Sequence, residues 1–517
     1  MRSIYTLLIL GCIILASSCR NDFDTTPNTG DLRFSKDTIF LDTVFTNIGS
    51  STYNLKVYND SDETINIPTV RLTTGEDSDY RLNVDGVAGR TFENVEILAK
   101  DSIFVFVETT TDINNVGAGS FEFLSTEAIE FDSGPIQQKV ELVTLIKDAI
   151  FLFADRDENT GMVETLDING VETSLEGRFL TDDELTFTNE KPYVIYGYMA
   201  VGSPDGNTPK TLTVEAGARI HFHADSGIIV GNNGTLDING TLSTDPEALE
   251  NEVILEGDRL EPSFSETPGQ WGTILLTEGS VNNEIDYATI KNATAGILNE
   301  SNTNTGTPNL TISNTQIYNA SAAGLLNRFS TVEGSNVVIN NCGQFSMLVQ
   351  SGGIYNFTHC TFANYWTQSF RDTPAVFLDN TILLGDTLQV ANLTANFTNC
   401  IIYGNQGEEI GFNQDPAGPV FDYNFRNTLL RFDDTFGNFD EDPLFDFTNT
   451  TLYTDIIRGE DPNFQDEFNN LLQVGEETAG NGQALQSAAN LFPFDIKGVS
   501  RTTAPDIGAY ESIELPE

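Results

Sequence analysis

The chain has few basic residues. Its 517 residues include 25 lysines and arginines against 76 aspartates and glutamates, and with 3 histidines the formal net charge at pH 7 is −51. Binding to nucleic acid depends on lysine and arginine replacing counterions along a phosphate backbone, and docking on anionic lipid uses the same residues. The composition therefore excludes nucleic acid and anionic lipid surfaces as electrostatic partners.

Long helical periodicity is also lacking, and Met and Trp are rare, at 4 and 2 residues. Phe, Tyr and Gly are common, and Thr, Asn and Asp separate short runs of Val, Ile, Phe and Leu. A hydrophobic content of 39% is too high for a disordered acidic chain. The pattern predicts an all-β fold.

The N-terminal segment predicts a secretory signal. The apolar run Ile4–Leu15 is too short for a spanning helix and leads into Ala16-Ser17-Ser18-Cys19. This exit resembles the lipobox of bacterial lipoproteins, whose signal is cut before an acylated cysteine. The resemblance implies a signal peptide at 1–18 and lipidation of Cys19; an ordinary signal with a chance cysteine is the alternative.

Residues 19–31 have no apolar period and are predicted to form a polar tether. Its acidic residues resemble the export signals of surface lipoproteins in Bacteroidetes-type bacteria. The resemblance implies a lipid-anchored protein of the outer membrane that faces the cell surface, with the periplasmic face as the alternative.

Two β-architectures are predicted in series. Residues 32–147 contain short alternating strands separated by turn residues, which is typical of an immunoglobulin-like β-sandwich. After a joining segment at 148–190, brief strands punctuated by Gly and Asn favour a parallel β-helix solenoid at 191–440, with its end and capping segment at 441–517.

An internal repeat supports the solenoid. Ile290–Asn299 recurs as Ile317–Asn327 at an offset of 27, and Tyr355–Phe362 matches Ala395–Ile402. Stacked coils place like residues above like residues. We therefore expect a buried column of small residues, and a corner ladder of Asn292 and Asn319. The column is predicted to contain Ala288, Thr315, Cys342, Cys360 and Cys400, with a metal or redox cluster as the alternative.

Several segments resemble a known group of proteins. Pro192–Gly197, Gly257–Leu260 and Pro268–Gly272 resemble the right-handed parallel β-helix lipoproteins of Bacteroidetes-type bacteria, whose fold is pectin-lyase-like. Asp442–Phe445 and Gly498–Glu511 are similar to the closing segment of many secreted β-helix proteins. The resemblance implies a fold and a cellular location, and it gives almost no information on activity.

No catalytic residue, metal ligand or cofactor is predicted. Uronic-acid lyases need a basic residue beside the substrate carboxylate, and hydrolases need converging carboxylates. The acidic groups at Asp433-Asp434 and 440–442 are interpreted as solvated turns, as is 155–161, for which a calcium loop is the alternative. His221 and His223 share a strand face, where a metal pair is the alternative to surface residues, and His359 has no partner in sequence.

The loop 364–370 supplies Tyr365, Trp366 and Phe370 as candidate ligand contacts, since aromatic rings stack on sugars. The alternative is a loop packed on the side of the solenoid. We predict a non-catalytic binding or scaffolding module, anchored to the membrane by lipid, for glycan or another envelope protein. Neutral glycans are favoured over polyanionic ones, and the alternative function is a polysaccharide lyase or glycoside hydrolase of the β-helix type.

Overall fold

The computed structural model describes residues 25–112, 122–133, 136–157, 159–302, 307–416 and 418–516. The chain divides into two compact units, Met1–Asp148 and Ala149–Glu517. The predicted signal peptide, Cys19 and part of the tether lie outside the described residues. Strands dominate both units, and the predicted all-β class is confirmed.

The first unit consists of two sheets that share one hydrophobic core. Inward residues such as Leu55 and Val57 alternate with outward Lys56 and Tyr58 along a strand, which is why each sheet has one apolar face. The six-stranded sheet comprises β1 (Thr26–Pro27), β3 (Thr38–Phe45), β5 (Ile65–Leu72), β8 (Thr91–Ile97), β10 (Glu122–Asp132) and β11 (Gln137–Lys147). The five-stranded sheet comprises β2 (Arg33–Phe34), β4 (Tyr53–Tyr58), β6 (Tyr80–Val84), β7 (Val87–Gly89) and β9 (Ser102–Thr109).

The second unit contains a parallel sheet of eleven strands. One face of this sheet packs on the main core, and the opposite face is called the outer face below. Its strands, in spatial and chain order, are β12 (Ile150–Phe153), β16 (Tyr193–Tyr196), β19 (Arg219–Phe222), β22 (Val253–Gly257), β25 (Ala288–Lys291), β28 (Gln316–Tyr318), β30 (Val338–Asn340), β32 (Thr361–Asn364), β37 (Ile401–Gly404), β40 (Leu429–Leu430) and β42 (Ile457–Arg458).

A second large sheet of eighteen strands contributes to the same core, and it is parallel apart from the antiparallel β13–β14 pair. Its strands are β13 (Thr165–Ile168), β14 (Val171–Phe179), β15 (Thr186–Phe187), β17 (Tyr198–Val201), β18 (Lys210–Glu215), β20 (Gly227–Val230), β21 (Gly234–Asn239), β23 (Ile274–Leu276), β24 (Asn283–Asp286), β26 (Ala295–Asn299), β27 (Leu310–Ser313), β29 (Ala323–Ser335), β31 (Phe345–Thr358), β33 (Val376–Asp379), β36 (Leu393–Thr398), β38 (Ile410–Asn413), β39 (Phe421–Arg426) and β41 (Tyr453–Thr454).

The remaining elements are short. Two hairpins are formed by β34 (Thr381–Leu384) with β35 (Thr387–Val390), and by β43 (Phe464–Asp466) with β44 (Leu471–Val474). An α-helix, α1, spans Gln486–Ala489, and 3₁₀ turns lie at Gly75–Asp77, Asp182–Glu184, Pro262–Phe264, Pro443–Phe445 and Glu467–Asn469. No helix in the described part of the chain is long and apolar enough to cross a membrane.

The segment predicted as a joining region belongs structurally to the second unit. Its strand β12 pairs in parallel with β16, and the end of β14 pairs with β17. Leu180 and Phe187 are buried in the main core. The run of polar residues at 155–161 interrupts the hydrophobic pattern of this segment in the sequence, which is why the sequence did not reveal its strands.

The internal repeat corresponds to in-register pairing of neighbouring strands. Ile290 pairs with Ile317, as the offset seen in the sequence predicts. The chain length between paired residues is shorter at the next strand. An offset of 27 would pair Gln316 with Gly343, but Gln316 pairs with Val338. A later return is much longer, since Thr361 pairs with Ile401. The period is therefore variable.

This variation corrects the predicted cysteine column. The amide of Thr361 donates to Val337 O and that of Ile401 to Cys360 O, so Val337 precedes Cys360 and Cys400 in one column. Cys342 instead follows Ala320 in a neighbouring column, since the amide of Gly343 donates to Ala320 O. The error arose from applying the offset between one pair of strands to the next pair, where the connecting chain is shorter.

All three cysteines are buried and none forms a disulfide. Burial raises the pKa of Cys342 to about 12. Burial, together with the adjacent Cys360, holds the pKa of Cys400 well above its usual value. The thiols of Cys342 and Cys400 are thus protonated and behave as small apolar groups.

The predicted asparagine ladder is confirmed. Asn319 Nδ2 donates to Asn292 Oδ1 at 3.2 Å, and Asn341 Nδ2 donates to Asn319 Oδ1 at 2.7 Å. The φ angles of Asn292, Asn319 and Asn341 are 66°, 55° and 54°, a left-handed conformation that Asn tolerates at corners. Each side-chain amide nitrogen of Asn319 and Asn341 therefore donates a hydrogen bond to the side-chain oxygen of the preceding asparagine.

The C-terminal segment 464–510 covers part of the outer face. Val338, Ile401 and Leu429 of that face are buried in one apolar cluster with Leu472 and Tyr510 of the segment. The same face carries polar side chains on the earlier strands β19, β22, β25 and β28. A cleft lies where the segment passes over those polar strands.

Candidate functional site

The three aromatic residues predicted to contact a ligand occupy different environments. Tyr365 and Trp366 are buried, with exposed fractions of 9% and 7%, whereas Phe370 is 87% exposed. Tyr365 packs edge-on against Phe464 and Phe468, and Trp366 Nε1 donates to Ser369 Oγ at 2.9 Å. Burial of two rings favours the packed-loop alternative, and ligand contact stays a prediction for Phe370.

The candidate site is a cleft of about 610 Å³ in the second unit. Its floor is the outer face of β25 and β28, and its sides are the loop 242–252 and the C-terminal segment. Leu242, Leu249 and Leu471 give it apolar walls. The hydrogen-bonding side chains that line it are Ser243, Thr244, Glu252, Glu266, Thr289, Lys291, Gln316, Tyr318, Gln465, Asn469, Asn470, Gln473, Lys497 and Tyr510.

A charged network lies at one end of the floor. Lys291 Nζ is 3.1 Å from Glu256 Oε2 and 3.9 Å from Glu266 Oε1, and His221 Nδ1 is 3.6 Å from Glu256 Oε1. Burial alone would raise the pKa of Glu256, but His221 and Lys291 bring it below its usual value. Glu266 also accepts a hydrogen bond from Asn319 Nδ2 at 2.6 Å, which ties the network to the asparagine ladder.

The C-terminal side of the cleft is fixed to the floor by polar contacts. Tyr510 OH donates to Gln316 Oε1 at 3.1 Å, and the hydroxyl of Tyr318 donates to the same oxygen. Asn470 Nδ2 donates to Asn319 Oδ1 at 3.0 Å. Burial raises the pKa of both tyrosines, so each remains a neutral donor.

Two ionisable groups of the cleft have pKa values shifted by desolvation. Burial raises the pKa of Glu252, whose Oε2 lies 3.4 Å from Thr289 Oγ1. On the opposite side, desolvation lowers the pKa of Lys497, although its side chain reaches solvent. Shifted pKa values in a cleft are more frequent at functional sites than elsewhere.

A larger cavity of about 1200 Å³ lies beside β12, β16 and the end of β14. Its aromatic residues stack on each other, with ring centroids 5.1 Å apart for Phe153 and Tyr196 and 4.3 Å apart for Tyr196 and His223. Each contact covers one face of each ring, which reduces the flat surface left for a ligand. We therefore favour the smaller cleft, where the hydrogen-bonding groups converge.

The other singled-out residues have structural partners. His221 is buried rather than surface-lying as predicted, because it packs beside Glu256 with Nδ1 3.3 Å from Gly257 O. His223 Nδ1 lies 2.7 Å from Asp258 Oδ2, and buried His359 bonds Asn399 Nδ2 at 2.9 Å. Among the residues described, no three His, Cys, Asp or Glu side chains are grouped to hold a metal ion.

The acidic turns behave as their sequence indicates. Asp434 accepts hydrogen bonds from the amides of Asn438 and Phe439, and Asp157 accepts from those of Asn159 and Thr160. These carboxylates organise their own loops.

Sequence reasoning missed the cleft. Its residues come from segments that lie far apart in the chain, and the folding of the C-terminal segment over the outer face is not visible in strand patterns. The sequence did contain one hint of it. After Lys210 there are two lysines, Lys291 and Lys497, and both line the cleft.

No family model and no curated protein matches the chain. A family 123 glycoside hydrolase from Clostridium perfringens, described for glycolipid glycan hydrolysis, is similar with 6% identity and a TM-score of 0.16, over 23% of this chain and 30% of the hydrolase. The human CEP192 ASH/PapD-like domain (PapD-like domain 7) has 9% identity and a TM-score of 0.16, over 24% of this chain and 89% of that domain. At these TM-scores neither likeness contributes to the assignment of fold or function.

Proposed function

We propose that the second unit is a right-handed parallel β-helix and that the first is an immunoglobulin-like sandwich. The chain returns repeatedly, and in parallel, to the same eleven-stranded sheet, with Gln316 beside Val338 and Thr361 beside Ile401, which supports the first assignment. The two sheets around one core support the second.

On this scaffold, the function we propose is non-catalytic binding of glycan by an envelope-anchored lipoprotein. The observation that carries it is the cleft of about 610 Å³, where apolar walls from leucines meet a floor of hydroxyl, amide and charged side chains. A sugar ring offers the same two chemistries, with C–H faces that pack on apolar groups and hydroxyls that both donate and accept. The volume lies in the range of small-ligand sites.

A cleft-filling variant tests this proposal. Leu242 is 41% exposed at the cleft wall, so Leu242→Trp adds bulk inside the cleft without removing a core side chain. Leu491→Trp, at a residue that is 76% exposed elsewhere, is the matched control. On a glycan array, the wild type and Leu491→Trp are expected to bind the same glycans and Leu242→Trp to lose them. Equal binding by all three proteins, or saturable binding only to an envelope protein, would reject the glycan cleft.

One observation favours the alternative of a polysaccharide lyase or hydrolase. Glu252 lines the cleft with a raised pKa, a property that a general acid needs. In a polysaccharide panel assayed with and without calcium, new reducing or unsaturated ends that disappear in Glu252→Gln would establish catalysis. Binding without turnover supports the module.

The anchor is tested separately. Cys19→Ser is expected to move the protein from the membrane fraction to the soluble fraction, because acyl chains hold a protein at the bilayer through their buried methylenes. Mass spectrometry of the N-terminal peptide checks the acylation. An unchanged membrane fraction together with an unacylated peptide contradicts the proposed lipoprotein, and protease shaving of intact cells separates the surface from the periplasmic face.

A further inference from the structure

The cleft concentrates the lysines of the second half of the chain. After Lys210 the sequence contains two lysines, Lys291 and Lys497, and both line this cleft. Lys291 lies on β25 in the floor, whereas Lys497 lies in the C-terminal segment, far along the chain. In a protein with a net charge of −51, this convergence brings two ammonium groups into a cleft that Glu252 and Glu266 also line.

The two ammonium groups differ in their partners. Lys291 lies between Glu256 and Glu266, so its charge is matched within the protein. Lys497 forms no ion pair or side-chain hydrogen bond among the residues described, and its Nζ lies 5.5 Å from the centroid of the Tyr510 ring. The unmatched cation of the cleft is therefore Lys497.

The carboxylate nearest to Lys497 in sequence is engaged elsewhere. Asp495 is buried and accepts hydrogen bonds from the backbone amides of Lys497, Val499 and Glu511 at 2.9, 2.7 and 2.9 Å. Asp495 does raise the pKa of Lys497, but desolvation outweighs it. The ammonium of Lys497 thus remains available to an anion that enters the cleft.

The rest of the cleft restricts how many anionic groups can enter. Glu252 and Glu266 line the opposite side and repel further negative charge. Leu242 and Leu249 give that side an apolar surface, and the amides of Gln316 and Asn470 lie on the floor and the C-terminal side. One unmatched cation and two carboxylates suit a ligand with one negative charge beside several hydroxyls.

We propose that the cleft recognises a glycan through a single acidic sugar, whose carboxylate is bound by Lys497 while its ring lies between the leucine walls and the amide groups. This inference rests on the proposed glycan-binding function and specifies its ligand class. It also separates a glycan with one acidic unit from a polyuronate, whose additional carboxylates meet Glu252, Glu266 and the negative field of the protein.

Titration calorimetry at low salt tests the inference with three probes: a disaccharide of glucuronic acid and glucose, the neutral disaccharide with glucose in both positions, and polyglucuronate. The mixed disaccharide is expected to bind about tenfold more tightly than the neutral one, because its carboxylate forms a charge-assisted hydrogen bond with Lys497. Polyglucuronate should bind more weakly per sugar unit. Lys497→Gln should remove the tenfold preference, Lys497→Arg should keep most of it, and Lys210→Gln, outside the cleft, should leave it unchanged.

A second measurement needs no variant. Acetylation of Lys497 by acetic anhydride, followed by mass spectrometry, is expected to slow several-fold in saturating mixed disaccharide, while acetylation of Lys210 stays constant. Equal affinity for the mixed and neutral disaccharides with no effect of Lys497→Gln overturns this inference and leaves the glycan cleft standing. No binding of either disaccharide and unchanged acetylation of Lys497 reject both proposals.

Discussion

The outer face of the eleven-stranded sheet has two parts with opposite chemistry. On β19, β22 and β25 it presents His221, Glu256 and Lys291, which contact one another at the end of the cleft. On β30 and β37 it presents Val338 and Ile401, which are fully buried under the C-terminal segment. The inner face of these strands packs on the apolar main core.

The difference shows that the polarity of the side chains on the outer face depends on what lies over them. Where protein covers the sheet, Val338 and Ile401 are apolar, and the polar Asn340 and Thr361 bond to the covering segment, because a buried hydroxyl or charge without a partner is costly. Where the cover opens into the cleft, charged and amide side chains return. The boundary falls at β28, whose Gln316 and Tyr318 bond to each other and, through Tyr510, to the covering segment.

The covered part depends on a buried ion cluster, and breaking that cluster should have the largest effect. Arg501 is fully buried and donates to Glu511 Oε1 at 3.0 Å, to Asn336 Oδ1 at 2.6 Å and to Gly508 O at 3.0 Å. Arg501→Ala removes this buried donor from all three acceptors and is expected to lower the free energy of unfolding by about 3–5 kcal/mol. Chemical denaturation measures the loss, and hydrogen exchange should locate it in 464–510.

Arg328→Ala is the control for this prediction. Its ion pair with Glu300 is about a third exposed on both sides, so its removal should cost less than about 1 kcal/mol. Similar losses for the two variants would show that the covering segment is held by its apolar contacts rather than by Arg501.

The same cluster predicts a pH dependence of the covered part. Burial raises the pKa of Glu511 to about 7, and Asp506 adds to the rise while Arg501 opposes it. Below about pH 4 both the folded and unfolded states carry the proton; between about pH 4 and 7 only the folded state keeps it. The stability due to Glu511 is thus fully present at low pH and is lost as pH rises through 7, by up to about 3 kcal/mol.

Glu511→Gln isolates this contribution. The amide does not titrate and can still accept from Arg501, so the wild type should lose stability relative to the variant between pH 4 and 8. Melting temperatures of both proteins across this range provide the comparison. A constant difference would show that the pKa of Glu511 is the same in the folded and unfolded states.

Local sequence patterns predicted the strand content and the residues that repeat at a regular spacing, such as Ile290 and Ile317, because each depends on neighbours in the chain or on one constant offset. They misplaced Cys342, since the length of a return is set by loops that strand patterns do not report. They missed that Lys497 lies in the same cleft as Lys291 and that Tyr510 bonds to Gln316, because the covering segment is placed by long-range contacts such as Arg501 to Asn336.

The smallest expected effect comes from exchanging isosteric residues across the boundary. Val338 is fully buried under the covering segment, and Thr289 is 6% exposed in the floor of the cleft. Val338→Thr introduces a hydroxyl among apolar side chains and should cost about 1–2 kcal/mol. Thr289→Val removes a hydroxyl whose hydrogen bond to Glu252 is 3.4 Å long, and should change stability by less than about 0.5 kcal/mol.

Because both changes conserve shape and strand propensity, their difference in the free energy of unfolding isolates the chemistry of the outer face. The double variant should show additive losses, since Val338 and Thr289 lie on strands separated by β28. Equal costs for the two exchanges would mean that the cleft floor is as closely covered as the rest of the face. In that case the cleft would be closed to a ligand, and the contrast between the two parts of the sheet would concern packing alone.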